Sequence, residues 1–496
     1  NPMTYSSLGA IGVVCAVLLI PIFIKWHRQL MLVSWFMPVS LFFVKGDPAL
    51  FLAMITLSLT AAITERAMGK RRFFSVPQIT WPLLILIVVV VITAKLTGGL
   101  GLRAFGSETY GGKKYIFLVV ATLGYFAIAS SPIPPEKARK YVALYFSGML
   151  LCAVEDFYSL VPNFLTPIYW LIHPNVYSSQ GFDLGVTRLA GIASAATAMT
   201  NIMLAYYGLR GIFLSGKPWR AVVYCLSFIL IFLGGFRSAI IGAAITCLVL
   251  FFLEGLHRTK LALFLTVLVL AVGGALIPLG SKLPYTFQRA LCFLPPSVID
   301  LSTAARADAT YSWDWRVRMW EALLPEIPKH FWLGKGYAIS REDFEAEMGT
   351  GAAIQNTADA SQQGLALSSD YHNGPLSVIL PFGIWGAIGF VWFLWGSLWV
   401  MYRNYRYSMP NLQALNAFLL ASYLARGVVF GTGSLATNMY LFTGILGLSV
   451  AINHGVRRKP SQATVNVRFG MPLRRRPLRA APATAPRFLP TNRRAN

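Results

Sequence analysis

His372 stands in the stretch Tyr371-His372-Asn373-Gly374-Pro375, where a long polar segment meets an apolar run that carries Gly383, Gly386 and Gly389 at every third position. Arg188 immediately precedes another apolar run, and Arg237 sits in Gly234-Gly235-Phe236-Arg237-Ser238, a tight break between two more. Arg316 and Arg318 lie in the polar segment itself. An imidazole with a pKa near ~6.5 is neutral at neutral pH and can take a proton. Pro375 marks a first helical turn, and the positive end of that helix disfavours imidazolium. Guanidinium forks bind two phosphate oxygens at once and stay charged. These residue types point to a base that deprotonates a nucleophile beside a bound phosphate. Each part has a plainer alternative. A loop-end histidine is often just hydrogen-bonded, and an arginine at a membrane boundary can snorkel to headgroups. Arg237 fits snorkelling least, because it follows two glycines where backbone can approach a ligand.

The elements that must position these residues are membrane spans. The chain has 496 residues, 56% hydrophobic and only 12% charged, where soluble domains run at about 25% charged. This composition predicts an all-α polytopic membrane protein. No cleavable signal is expected, since the first apolar run has further runs close behind it. Apolar runs lie at Leu8–Ile24, Leu30–Val44, Ala49–Thr64, Trp81–Ala94, Tyr115–Ser131, Tyr141–Val154, Leu189–Leu209, Ala221–Leu233, Ser238–Leu253, Leu261–Leu279, Pro375–Tyr402, Leu412–Phe430 and Met439–Ile452. That makes thirteen, or twelve if one short run is re-entrant or merged with its neighbour, so 12–13 transmembrane helices are expected. The division that follows is an N-terminal bundle over 1–279, one large loop or cap over 280–373, C-terminal helices over 374–453 and a basic tail over 454–496.

Basic residues orient the spans. With the N-terminus outside and thirteen crossings, Lys25/Arg28, Arg66 to Arg72, Lys137/Arg139/Lys140, Arg210/Lys217/Arg220, Arg258/Lys260 and Arg403/Arg406 all fall inside, as the positive-inside rule expects. The formal net charge of +24 is then explained by cytoplasmic loops and by a tail lying on anionic lipid, and no nucleic-acid partner is expected. The same alternation puts Arg188, Arg237, His372 and the loop arginines together at the outer boundary. The loop holds 11 of the 19 acidic residues and is expected to be mainly helical. One helix would be capped by Ser312 and ended by Pro325, and a second framed by Ser340, Asp343 and Gly349, with a small polar stretch from Thr350 to Asp370 as a lid. The three glycines after His372 are expected to pack against a neighbouring helix.

A metal site is not expected. The nearest carboxylate pattern, Asp343-Phe344-Glu345-Ala346-Glu347, alternates at a spacing that does not share a helix face. No His/Cys set has zinc spacing, and the five cysteines form no disulfide framework.

Four segments resemble a known family, one of them Arg237 between two apolar runs, which matches in character. His372-Asn373, nine residues and Gly383-Ile384-Trp385-Gly386 fit the pattern H-[NSR]-x9-G-x-x-[GTY] of the bacterial O-antigen ligases. Arg316-x-x-x-Trp320 followed by Leu333-Gly334-Lys335-Gly336 is similar to the R-x3-W…G-x-G segment of the wider ligase and polymerase superfamily, and Arg188-Leu189-Ala190-Gly191 resembles an arginine-glycine span start in that group. The resemblance implies a GT-C-like glycosyltransferase that is inverting and uses neither metal nor cofactor. The donor would be a polysaccharide on undecaprenyl pyrophosphate, the acceptor a sugar hydroxyl of the lipid A-core, and the site would face the periplasm from the bacterial inner membrane. Carried over by position, His372 is the base, and Arg188, Arg237 and Arg316 hold the pyrophosphate, with Arg318 and Asn373 as further candidates. An O-antigen polymerase and a protein O-oligosaccharyltransferase share this chemistry with a different acceptor. A lipid-linked glycan flippase is the alternative of another class, and it would place basic residues along a path between leaflets. Here only Arg426 lies within a span.

Overall fold

A computed structural model describes residues 5–69, 76–102, 105, 107, 109–174, 188–340 and 370–453. The expected second loop helix (bar Ser340, which lies in a strand) and lid (bar Asp370), the acidic triplet and the basic tail lie outside the described residues.

The described residues form a helical bundle. Its helices are α1 (Tyr5–Ser34), α2 (Leu50–Ala67), α3 (Pro77–Leu96), α4 (Gly112–Ala129), α5 (Ala138–Ser147), α6 (Ala190–Phe213), α7 (Pro218–Leu230), α8 (Arg237–Leu253), α9 (Lys260–Leu279), α10 (Tyr285–Leu291), α11 (Thr303–Leu323), α12 (Glu326–Lys329), α13 (Gly374–Tyr407), α14 (Pro410–Phe430) and α15 (Leu435–Asn453). Among the described residues, seven helical segments are long and apolar enough to cross a membrane, and α8 and the segment Pro218–Gly234 are shorter apolar helices. Among the described residues, two short strands, β1 (Thr109–Tyr110) and β2 (Ile339–Ser340), pair antiparallel with Thr109 opposite Ser340.

α15 is the centre of the bundle. It is buried along nearly its whole length, from Asn438 to Ile452 with one break, as a helix apolar on all sides must be. Trp35, Tyr125, Tyr145 and Phe418 fill the core around it, with its own Phe442. Some polar groups inside are paired: the Asn416 and Asn453 amides bond each other at 2.8 and 3.0 Å, while the buried Tyr125 and Tyr145 hydroxyls have no hydrogen-bond partner among the described residues.

Two sequence expectations change. Leu30–Val44 does not form its own helix. α1 continues to Ser34, and beyond it Val39 bridges Ile172 while Ser40 bridges Ala49. Pro38 cannot donate to a helical ladder and clashes with the preceding turn. Arg28, inside α1, donates to the Ser131 carbonyl at 2.6 Å, just beyond the end of α4. The loop helix also begins earlier than expected. Ser302 caps α11 by accepting from the Ala305 amide, and Ser312 is an interior residue. The added turns, Thr303 to Tyr311, are rich in alanine, the best helix former, but carry no apolar period to announce them.

α13 is interrupted. Gly383 takes φ +61°, ψ −161° in its middle. There the loop from Phe331 to Gly336 replaces the helix's own ladder. The Ile384 amide donates to the Phe331 carbonyl at 2.7 Å, Lys335 N–H to Leu380 at 2.8 Å and Gly336 N–H to Pro381 at 3.0 Å. A Cβ on Gly383 would meet the Phe331 and Trp332 carbonyls, and one on Gly334 (φ +77°) the Pro381 carbonyl. The Gly-x-Gly loop and the glycine after His372 are therefore two halves of one joint. The expected packing role holds for Gly389, which faces Leu86 of α3. Gly386 faces Phe382 of its own helix.

Candidate functional site

The His372 backbone is built before its side chain has any task. Asn373 is the N-cap of α13 and accepts from the Leu376 amide at 3.1 Å, with Pro375 in the first turn. This assigns the Asn373 side-chain oxygen to capping rather than to a ligand. The Tyr371 carbonyl accepts from the Trp320 indole at 2.8 Å. Between these two anchors His372 adopts φ +45°, a left-handed conformation uncommon outside glycine and asparagine. The Trp315 ring meets the imidazole edge-on at a centroid distance of 5.8 Å, and Asp370 Oδ1 lies 4.0 Å from Nδ1. Burial holds the imidazole pKa below its usual value and the Arg316 guanidinium adds to this, while Asp370 opposes both. The side chain is still 28% exposed, so a neutral, accessible base results.

The arginines form a second cluster around one carboxylate. Asp308 Oδ2 accepts from Arg188 at 3.4 Å, from Arg289 at 2.5 Å and from the Tyr285 hydroxyl at 3.1 Å. Arg289 also donates to the Gly235 carbonyl at 3.0 Å, and Arg237 donates to the Ala309 carbonyl at 3.4 Å. Gly235 sits at φ +64° and ends the preceding helical segment, so that Arg237 opens α8. Gly191, just after Arg188, lies against the Cys152 carbonyl, and the next amide, Ile192, donates to Asp156 at 2.7 Å. The glycine thus lets α6 start against the 3-10 segment Gly148–Leu160.

α11 joins the two clusters. Asp308 and Ala309 lie near its start, and Trp315 and Arg316 about 12 Å further along the same helix at 1.5 Å per residue. The structure brings Arg188, Arg237, Arg316 and His372 to one end of the bundle. Arg318 is exposed on α11, two positions from Arg316 and so on another face. Sequence reasoning missed Arg289, Asp308, Tyr285 and Lys114. Lys114, near the start of α4, acts electrostatically on Asp370 and lies 5.3 Å over the Tyr337 ring. None of the four lies in a motif, and only folding of α10 and α11 makes the first three a cluster. Among the described residues no group of three or more His, Cys, Asp or Glu side chains is placed to hold a metal ion.

Together these residues form a half-buried base beside a tight arrangement of cations that grip one anionic group. The family model described as O-antigen ligase matches residues 222–391, from α7 through the loop and α11 into α13. No curated protein matches the chain.

Proposed function

We propose that this chain, which carries an O-antigen ligase domain at residues 222–391, transfers a polysaccharide from undecaprenyl pyrophosphate to a sugar hydroxyl of the lipid A-core, at the periplasmic face of the bacterial inner membrane. The observation that carries the reading is α11, which holds the arginine cluster at one end and the His372 pocket two turns on. Asp370 faces Nδ1, which leaves Nε2 to accept the acceptor's hydroxyl proton. The freed oxygen attacks the anomeric carbon of the donor as the bond from that carbon to the pyrophosphate oxygen breaks. A single displacement inverts that centre. The leaving undecaprenyl pyrophosphate gains negative charge, and Arg188, Arg237 and Arg316 hold it by charge-assisted hydrogen bonds. Arg289 joins them once Asp308 yields its place to phosphate. Because the leaving group is already ionised and met by guanidiniums, the scheme needs no metal ion.

The acceptor is identified by incubating the purified protein with lipid-linked glycan and, separately, core-lipid A, a second donor molecule or a protein. Glycosylation of core-lipid A is the expected result. Product only on the second donor makes the enzyme a polymerase, and product only on protein makes it an oligosaccharyltransferase.

A further inference from the structure

A cavity of about 260 Å³ lies inside the bundle between α5, α6, α8, α14 and α15, far above the ~10–15 Å³ that a single water needs. Its walls are polar for a space among apolar helices. Ser194 and Asn201 of α6, Thr246 of α8, and Ser422 and Arg426 of α14 all line it. Ser422 Oγ has no hydrogen-bond partner. Arg426 lies one turn before the end of α14 at Phe430. The phenols of Tyr145 and Tyr440 lie near it, and among the described residues no carboxylate forms an ion pair with it. An arginine stays charged in proteins, and a charge inside a span is costly unless something compensates it. The cavity is where the compensating anion fits.

Position says which anion. The outer wall of the cavity is made by Ala190, Phe236 and Ser238, the chain neighbours of Arg188 and Arg237. From Ala190 to Asn201 the wall runs about 16 Å along α6. The chamber therefore begins where the arginine cluster ends and leads into the span region. We propose that Arg426 is a phosphoryl-binding residue on the inner side of this chamber, holding the lipid-proximal phosphoryl group of an isoprenyl diphosphate whose sugar-proximal phosphoryl group lies at Arg188 and Arg237. Ser422, Asn201 and Ser194 supply neutral donors around it. The inference rests on the reading of the protein as a transferase that uses a lipid-linked diphosphate donor.

The test measures binding rather than transfer. The purified full chain is titrated with radiolabelled farnesyl diphosphate and, separately, with inorganic pyrophosphate, alongside Arg426→Gln, Arg426→Lys and Arg237→Gln. The wild type should bind farnesyl diphosphate more tightly than pyrophosphate. Arg426→Gln should weaken binding by about tenfold or more, as loss of a buried charge-assisted partner does, and Arg426→Lys should recover part of it. Binding lost in Arg237→Gln but unchanged in Arg426→Gln overturns the role of Arg426 and leaves the donor reading standing. Equal affinity for pyrophosphate overturns the assignment to a lipid carrier. No binding by the wild type removes the donor reading itself. Photocrosslinking of the wild type with a photoreactive isoprenyl diphosphate needs no variant to fold. Labelling of α6, α8 or α14 is expected, and its absence from all three overturns the inference.

Discussion

His372 has its backbone fixed by groups that have nothing to do with proton transfer: the Asn373 cap on one side and the Trp320 indole on the other. Removing the imidazole should therefore leave the pocket standing. His372→Ala is expected to lower transfer by about a hundredfold or more, the usual worth of a positioned base, with farnesyl diphosphate binding unchanged. Wild-type transfer by that variant would remove His372 as the base. The pH dependence carries a sign. The base works when neutral, so the rate rises with pH through the His372 pKa, and burial together with Arg316 puts that limb on the acid side of the usual imidazole range. Asp370 favours the cation. Asp370→Asn should lower the pKa further and move the acid limb of kcat/KM to lower pH, and a limb that moves upward refutes the assignment. Much of this scale is legible in sequence, because His372, Arg188 and Arg237 stand at boundaries between polar and apolar chain. Asp308 and Arg289 stand at no such boundary. Their importance comes from meeting each other, which α10 and α11 arrange in space.

The informative element is α13 with its break. The sequence pattern marks Gly383 by distance from His372 but cannot say why a glycine is needed, since a packing glycine and a left-handed one look alike in one dimension. The structure separates them. Gly383→Ala places a Cβ against two carbonyls at a positive φ, with an expected cost of about 1–3 kcal/mol. Gly427→Ala in α14 meets nothing within 4 Å and should stay within about 0.5 kcal/mol of the wild type. Thermal unfolding in detergent compares the two, and equal stabilities would mean the loop–helix joint is not tight. Elsewhere the long apolar runs read directly as helices. The misread pieces are those where apolarity and helicity part company: Leu30–Val44 is apolar but broken at Pro38, and Thr303–Tyr311 is helical but not periodic.

At the scale of the molecule, Arg188, Arg237, Arg289 and Arg316 gather along α11, and Arg426 lies inside α14. With guanidiniums available to meet a diphosphate, transfer should be unaffected by EDTA. Inhibition that added magnesium or manganese reverses would show that a divalent ion takes part. The all-α membrane architecture was readable from composition and run length alone. The arrangement of helices was not, because which spans touch depends on packing between segments distant in sequence, such as Trp35 donating to the Tyr440 carbonyl. The interruption in α13 has one more consequence, a mechanical one. A long span tilts when the bilayer around it thickens or thins, and an unbroken helix would carry that tilt to the histidine at its tip. Here the ladder passes at Gly383 to the loop Phe331–Gly336, so the lower part of α13 can lean while the upper turns stay clamped. Turnover in reconstituted membranes should accordingly vary little with acyl-chain length, and the Gly383→Ala protein should become sensitive to it.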